Sequence, residues 1–228
     1  MRPDDPNLPI LRLIADALGD LREDLVFVGG CAAGLLLTDP AAESIRPTRD
    51  VDAIVEAASL AGFYRMEATL PARGFERDAD SEVICRWRHR RSGVLFDLMP
   101  VDPGILGFSN RWYPEAVRTA ERVALDDRIE IRLIAAPAFV ATKLAAFTDR
   151  GRGDFLMSHD LEDVLNVVDG RPALVNEVGQ AVEELRAFVR ERVMTLLQHP
   201  DFLNALPGLI ADGSRVDIVL ARLRGLTA

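Results

Sequence analysis

Two aspartates two residues apart, Asp50 and Asp52 in Thr48-Arg49-Asp50-Val51-Asp52, form the pair in this chain best suited to chemistry. In a strand, residues i and i+2 project from one face, so both carboxylates aim at one point. Two like charges held that close repel, and a fold tolerates them when a divalent cation sits between them. Carboxylate oxygens are hard ligands that suit Mg²⁺ or Mn²⁺, with substrate phosphates completing the shell. Alone, Asp-X-Asp is a short pattern that also fits a solvated strand end. Upstream, Phe27-Val28-Gly29-Gly30 closes an apolar run with paired glycines. A strand that ends this way and feeds a small-residue helix lets backbone N–H groups approach a phosphate. By itself the pair also reads as an ordinary tight turn. Paired glycines after one strand and Asp-X-Asp on the next make a more specific combination, a phosphate cradle beside a metal site. A third carboxylate, Asp97, stands amid Val94-Leu95-Phe96 and Leu98-Met99. Burying it is costly unless it is paired or metal-bound. It fits a general base that takes the proton of an attacking hydroxyl while helping to hold the metal. Asp102 reads as a turn residue.

The 27 basic residues are 26 Arg and a single Lys, Lys143. In a chain that otherwise uses Arg, the lone Lys marks a position where a compact ammonium fits, or a surface lysine on an amphipathic helix. Arg150 and Arg152 fall in a Gly-rich connection that suits either a phosphate-closing loop or a solvated one. Asp160 and Asp163 read as N-terminal helix residues answering the helix dipole, with Ser158 the better N-cap by type. The densest basic run is Arg86-Trp87-Arg88-His89-Arg90-Arg91. It could track an RNA backbone, but the alternation places Trp87 on the apolar side with Val83 and Cys85, hence in the core. The arginines then face solvent or phosphate. The three histidines lack zinc-ligand spacing, and Cys31 and Cys85 lack the spacing of a thiol redox motif.

Helical periodicity covers 8–21, and Leu25-Val26-Phe27-Val28 reads as a buried strand. A small-residue helix is expected over 31–37, a strand over 51–55 and a helix over 60–73 that ends at Gly74. Residues 82–90 and 94–99 form a hairpin about Ser92-Gly93, and 128–133 is a further strand. From Ala135 the periodicity is helical, over 137–148, 160–168, 173–198 and 216–223. The expected fold class is α+β: a core over 1–135, then a helical region over 136–228.

At 228 residues the chain is long enough for one well-filled domain, or a core with a small satellite. With 49% hydrophobic and 28% charged residues it is neither disordered nor fibrous. No apolar run approaches the roughly 20 residues of a membrane span. The opening MRPDDPNLPI is acidic where a secretory signal is basic, and two cysteines make no disulfide scaffold. A cytoplasmic setting is expected. The formal net charge of -9 repels nucleic acid as a whole-molecule field, so an RNA partner needs a local basic patch.

Gly29-Gly30, then Asp50-Val51-Asp52, then Asp97 on a later strand resembles the nucleotidyltransferase superfamily built on the DNA polymerase beta fold. The resemblance covers roughly residues 25 to 170. It implies a small mixed sheet flanked by helices, with the glycines binding an incoming NTP. It also implies that Asp50, Asp52 and Asp97 hold Mg²⁺ or Mn²⁺ and that the helical region completes the nucleotide cleft. Lys143-Leu144-Ala145, Arg150-Gly151-Arg152 and His159-Asp160-Leu161-Glu162-Asp163 look like elements of AbiEii-type toxin nucleotidyltransferases. By that likeness Lys143 grips the nucleotide phosphates, Asp160 is needed for activity, and Arg150 and Thr48 are candidate phosphate contacts. The implied activity is transfer of an NMP from an NTP to an acceptor hydroxyl of RNA (tRNA in toxin-like relatives), protein or a small molecule. A cognate antitoxin is a possible partner by the same likeness. Cys31 departs from the Ser or Thr common after the glycines, and His159 from a Lys or Arg. Those departures keep open a non-catalytic nucleotide sensor of the same fold. A metal-dependent phosphoesterase is a further rival.

Overall fold

Alternating burial builds the strand that carries the paired aspartates: Val51, Ala53, Ile54 and Val55 are buried while Asp50 and Asp52 are partly exposed. The computed structural model describes residues 4–150 and 154–228, with Arg150 described for its backbone alone. The chain begins with α1 (Leu8–Leu18), β1 (Leu25–Val28), α2 (Gly29–Leu36), β2 (Asp50–Val55), α3 (Leu60–Glu67) and β3 (Phe75–Arg77). It continues with β4 (Arg86–His89), β5 (Leu95–Pro100), α4 (Pro103–Leu106), α5 (Tyr113–Arg118), β6 (Glu121–Ala124) and β7 (Glu130–Leu133). Helices follow: α6 (Ala136–Arg150), α7 (His159–Gly170), α8 (Leu174–Gln180), α9 (Glu183–Gln198), α10 (Pro200–Leu209) and α11 (Val216–Gly225). The class is the expected α+β, a mixed sheet with flanking helices and then a helical part. Among the described residues no helix is long and apolar enough to cross a membrane.

Two compact units divide the chain. A sheet unit comprises Pro6–Ala32 and Arg46–Ala135; a helical unit comprises Ala33–Ile45 and Ala136–Ala228 with the N-terminal residues up to Asp5. In the sheet unit seven strands lie in the order β3-β4-β5-β2-β1-β7-β6. The pairs β2–β5 and β1–β7 are parallel and the others antiparallel. All four residues of β1 are buried, as its unbroken apolar run requires. The helix α1 turns Leu8, Leu11, Ile14 and Leu18 inward at helical spacing and stops at Gly19, whose φ is 59°.

Where the elements differ from expectation, local chemistry explains it. The helix expected over 60–73 ends at Glu67, and a 3₁₀ turn over Leu70–Arg73 follows, with Pro71 in its first turn. Proline donates no N–H and cannot continue the earlier ladder. The strand expected from residue 82 begins only at Arg86. The residues before it fold into turns, with Ser81 N–H donating to Asp78 O and Arg86 N–H to Val83 O. The helix expected over 173–198 is two helices, α8 and α9, separated by Ala181 and Val182 in extended conformation. Strands β3 and β6 are three and four residues long and mostly exposed, too short for alternation to reveal.

In the helical unit, Phe139, Leu144, Leu161, Val164, Val168, Val189, Val193, Phe202 and Leu223 make the apolar interior. Ser158 caps α7 as expected, its Oγ accepting from Leu161 N–H at 3.3 Å. A buried guanidinium ties the 33–45 segment to α7: Arg215 is 2.7 Å from both Asp39 and Asp169. At Gly170 the same segment packs so closely that a Cβ would lie 2.5 Å from the Leu37 side chain. The Gly170 carbonyl there accepts from Thr38 and Asp39 N–H, both at 2.8 Å.

Candidate active site in the sheet unit

Register brings the acidic residues together. Val28 pairs with Asp52 across β1–β2, Asp52 with Asp97 across β2–β5, and Asp97 with Arg86 across β4–β5. Paired residues on neighbouring strands point to one face, so Asp52, Asp97 and Arg86 share a face. Asp50, two residues before Asp52, shares it too. The sequence-expected trio of Asp50, Asp52 and Asp97 is therefore on one face of adjacent parallel strands. Asp97 is 5% exposed, so its charge requires a partner.

Gly29 and Gly30 are the first two residues of α2, so they open the helix rather than forming a separate turn before it. Gly29 has a φ of 73°, a conformation that L side chains rarely adopt. A Cβ there would stand 1.8 Å from Asp52 Oδ2. The absent side chain thus lets the start of α2 lie directly against the second carboxylate of the Asp-X-Asp pair. Asn7, fully buried, braces the approach to β2: its Nδ2 donates to Arg46 O at 3.1 Å, and its Oδ1 accepts from Thr48 N–H at 2.8 Å. Nothing local in the sequence marks Asn7.

The partner of the trio is Arg86. Its Nε donates to Asp97 Oδ1 at 2.8 Å, and its Nη2 to Asp97 Oδ2 at 2.7 Å and Asp50 Oδ2 at 3.1 Å. The fork on Asp97 is the bidentate geometry that favours arginine over lysine. Hydrogen bonding to Asp97, with the charges of Asp97, Asp50 and Asp52, raises the Arg86 pKa against the burial that lowers it. The arginine is accordingly a fixed cation. The neighbouring Cys85 thiol is pushed up to about 12, by burial first and then by Asp97 and Asp52, which leaves it protonated and unreactive. Arg86, expected to face solvent or phosphate, faces the carboxylates instead.

Among the described residues, no group of three or more His, Cys, Asp or Glu side chains is arranged to hold a metal ion. The trio as it stands is arranged about a guanidinium: both Asp97 oxygens and one Asp50 oxygen accept from Arg86. In this arrangement the carboxylates do not fit Mg²⁺ or Mn²⁺.

The other anticipated residues fall as follows. Thr48 uses its N–H on Asn7 and its Oγ1 on the Asp50 carbonyl, at 3.1 Å. Cys31 is 1% exposed, and its Sγ faces the Asn7 carbonyl at 3.9 Å, so it is a core residue. Trp87 is 5% exposed and in the core, as expected. The basic run is largely neutralised: besides Arg86, Arg88 pairs with Asp78, and Arg90 with Glu76 at 3.3 Å. Asp102 caps α4, accepting from Gly104 N–H at 2.8 Å. In the helical unit, Lys143 on α6 is 3.1 Å from Asp160 and 2.7 Å from Asp163 on α7. Its side chain is only 12% exposed, which corrects the surface-lysine alternative. Asp163, read as a helix-dipole residue, is instead 1% exposed and paired with that ammonium. The anticipated contacts of the Arg150 side chain, Gly151 and Arg152 lie outside the described residues.

No family model matches the chain, and no curated protein does. Among solved structures it is similar to a nucleotidyltransferase-like antigenic protein from Paracoccidioides brasiliensis. Identity is 21% over 92% of this chain and 96% of that one, with a TM-score of 0.50. It is also similar to the antibiotic-resistance factor ANT(2'')-Ia, at 16% identity over 84% of this chain and 95% of that one, with a TM-score of 0.49. At the identity of the first match, what is shared is the fold: the chain folds like a nucleotidyltransferase-like protein.

Proposed function

We propose that the chain is a nucleotidyltransferase that moves an NMP from an NTP to an acceptor hydroxyl. The observation that carries this reading is the row Gly29–Asp52–Asp97: a helix start with no side chain lies against one carboxylate, which is paired in register with another. Gly29 and Gly30 present backbone N–H groups at the start of α2, where the helix dipole favours an anion. In the reaction the acceptor oxygen bonds to the α-phosphorus, the bond from that phosphorus to the bridging oxygen breaks, and pyrophosphate leaves. The hydroxyl proton passes to Asp97 once its oxygens have parted from Arg86. Lys143 is proposed to contact the nucleotide phosphates and Asp160 to support activity, as the AbiEii-type resemblance implies. Arg150 is proposed as a further phosphate contact, and Thr48 as another once its Oγ1 has left the Asp50 carbonyl. On that resemblance the acceptor is a tRNA and a cognate antitoxin restrains the enzyme. Against an RNA-tracking role for the basic run over 86–91 stand the ion pairs of Arg86, Arg88 and Arg90.

The test is incubation with each α-labelled NTP and Mg²⁺ in the presence of total tRNA, mixed protein or small hydroxyl acceptors. Label in one acceptor pool, lost in Asp52→Asn, is the expected result. Tight NTP binding with no transfer to any pool overturns the enzyme reading. It would favour the sensor, a reading that rests on the engagement of Asp97 by Arg86 and on the buried Cys31. Release of inorganic phosphate without transfer would instead identify a phosphoesterase.

A further inference from the structure

We infer that Arg86 is a built-in counter-ion of the carboxylate trio and that a divalent cation binds there only by displacing it. The identity of the competing ion rests on the nucleotidyltransferase reading, which this deepens. Three hard carboxylates gathered on one face suit a divalent cation, yet one guanidinium engages two of them. The position is fixed by the fold, because Arg86 is the cross-strand partner of Asp97 and so must point to the same face.

The arrangement also solves an electrostatic problem. Without a counter-ion, Asp50, Asp52 and a nearly buried Asp97 would repel one another, and the desolvated Asp97 would bear the greatest cost. Arg86 keeps the three together in the absence of metal. Its charge stays in place at any working pH. A divalent cation arriving at the same oxygens therefore has to break the two hydrogen bonds to Asp97 and the one to Asp50. The Arg86 side chain is 19% exposed, so the guanidinium has a route to solvent. Cation affinity is then set by a contest between two positive occupants, and Arg86 is the residue that sets it. Acting through the carboxylates, it is a positioning residue.

The experiment measures Mn²⁺ alone, without nucleotide, from the paramagnetic signal of the free ion, on the full chain and on Arg86→Gln, Arg86→Lys and Arg86→Gln/Asp97→Asn. Arg86→Gln is expected to bind Mn²⁺ at least ~10-fold more tightly than wild type, the weight of losing charge-assisted hydrogen bonds to the competitor. Asp97→Asn in that background removes the gain. Arg86→Lys, a point charge without the fork, falls between. Melting supplies an independent readout. Without metal Arg86→Gln melts roughly 6–20 °C below wild type, as expected for a buried charge left alone. Saturating Mn²⁺ raises its melting point more than it raises that of wild type. Equal Mn²⁺ affinity in wild type and a folded Arg86→Gln overturns the counter-ion inference and leaves the transferase reading standing. Absence of Mn²⁺ binding in every variant removes the cation centre itself, a failure that the NTP-transfer assay registers separately. If Arg86→Gln does not fold, Arg86→Lys decides by the same comparison.

Discussion

Gly29→Ala tests the close approach on which the sheet-unit site depends. An alanine at φ 73° costs about 1–2 kcal/mol for the left-handed backbone alone. Its Cβ would also lie 1.8 Å from Asp52 Oδ2, 2.6 Å from Cγ and 2.8 Å from Cβ, so the carboxylate must retreat by more than an ångström. Overpacking of that kind adds about 1–3 kcal/mol. In a chain of this length the combined cost corresponds to a melting decrease of roughly 4–20 °C. The control is Gly107→Ala: φ there is 81°, but nothing stands within 4 Å of the Cβ that alanine would add, so only the backbone cost remains. A third variant, Asp52→Ala, removes the two nearest atoms of the collision. In its background Gly29→Ala is expected to cost less than in wild type, a coupling that contact between the residues predicts. Thermal unfolding followed by circular dichroism measures all four proteins and the double variant. If Gly29→Ala and Gly107→Ala melt alike, or if Asp52→Ala leaves the cost of Gly29→Ala unchanged, the start of α2 does not lean on Asp52 and the proposed site loses its geometry.

Asn7→Ala removes the hydrogen bonds to the Arg46 carbonyl and from the Thr48 N–H, at a cost of about 1–3 kcal/mol. Hydrogen exchange at the Thr48 amide should quicken, and an unchanged rate would count against the brace. Asp39 has its pKa held below 3.8 chiefly by its hydrogen bond from Arg215. A carboxyl lowered in the folded state stabilises above its unfolded pKa, and that contribution is lost as pH falls through the folded value. The urea midpoint of wild type should therefore exceed that of Asp39→Asn at pH 7, with the gap closing below about pH 4; a gap that stays the same down to the lowest pH at which the chain folds contradicts the assignment. Lys143→Met removes the ammonium 2.7 Å from Asp163, whose side chain is 2% exposed, and should destabilise by about 3–5 kcal/mol. Adding Asp163→Asn should restore part of that loss in the same melting assay.

The strands that carry the trio are legible because each announces itself locally. Asp50 to Val55 alternates about its two aspartates, and the apolar run at Leu25–Val28 stops at glycine. Arg86 is harder to place from its face alone, although the information to place it is present. Alternation fixes its face, and the turn at Ser92-Gly93 fixes the register. His89 N–H bonds to Val94 O, and counting outward from there pairs Trp87 with Phe96 and Arg86 with Asp97. The face by itself leaves the arginine facing water; the face and the register together oppose it to the one buried acid of the hairpin. The same holds for Asp163 on a helix. Its place near the N-terminus of α7 suggests a dipole residue, yet it precedes the buried Val167 by four positions and so lies on the inward stripe. Asn7 has no such clue, since its partners lie 39 and 41 residues away and no periodicity links them. What separates these cases is whether the counter-charge sits on an element whose register the sequence constrains. A hairpin constrains it, one helix face half constrains it, and a loop contact across forty residues leaves it to the tertiary fold. An acid on an inward position is therefore a demand for a cation, and in this chain arginine or lysine answers it at Asp97 and Asp163 before any ligand does.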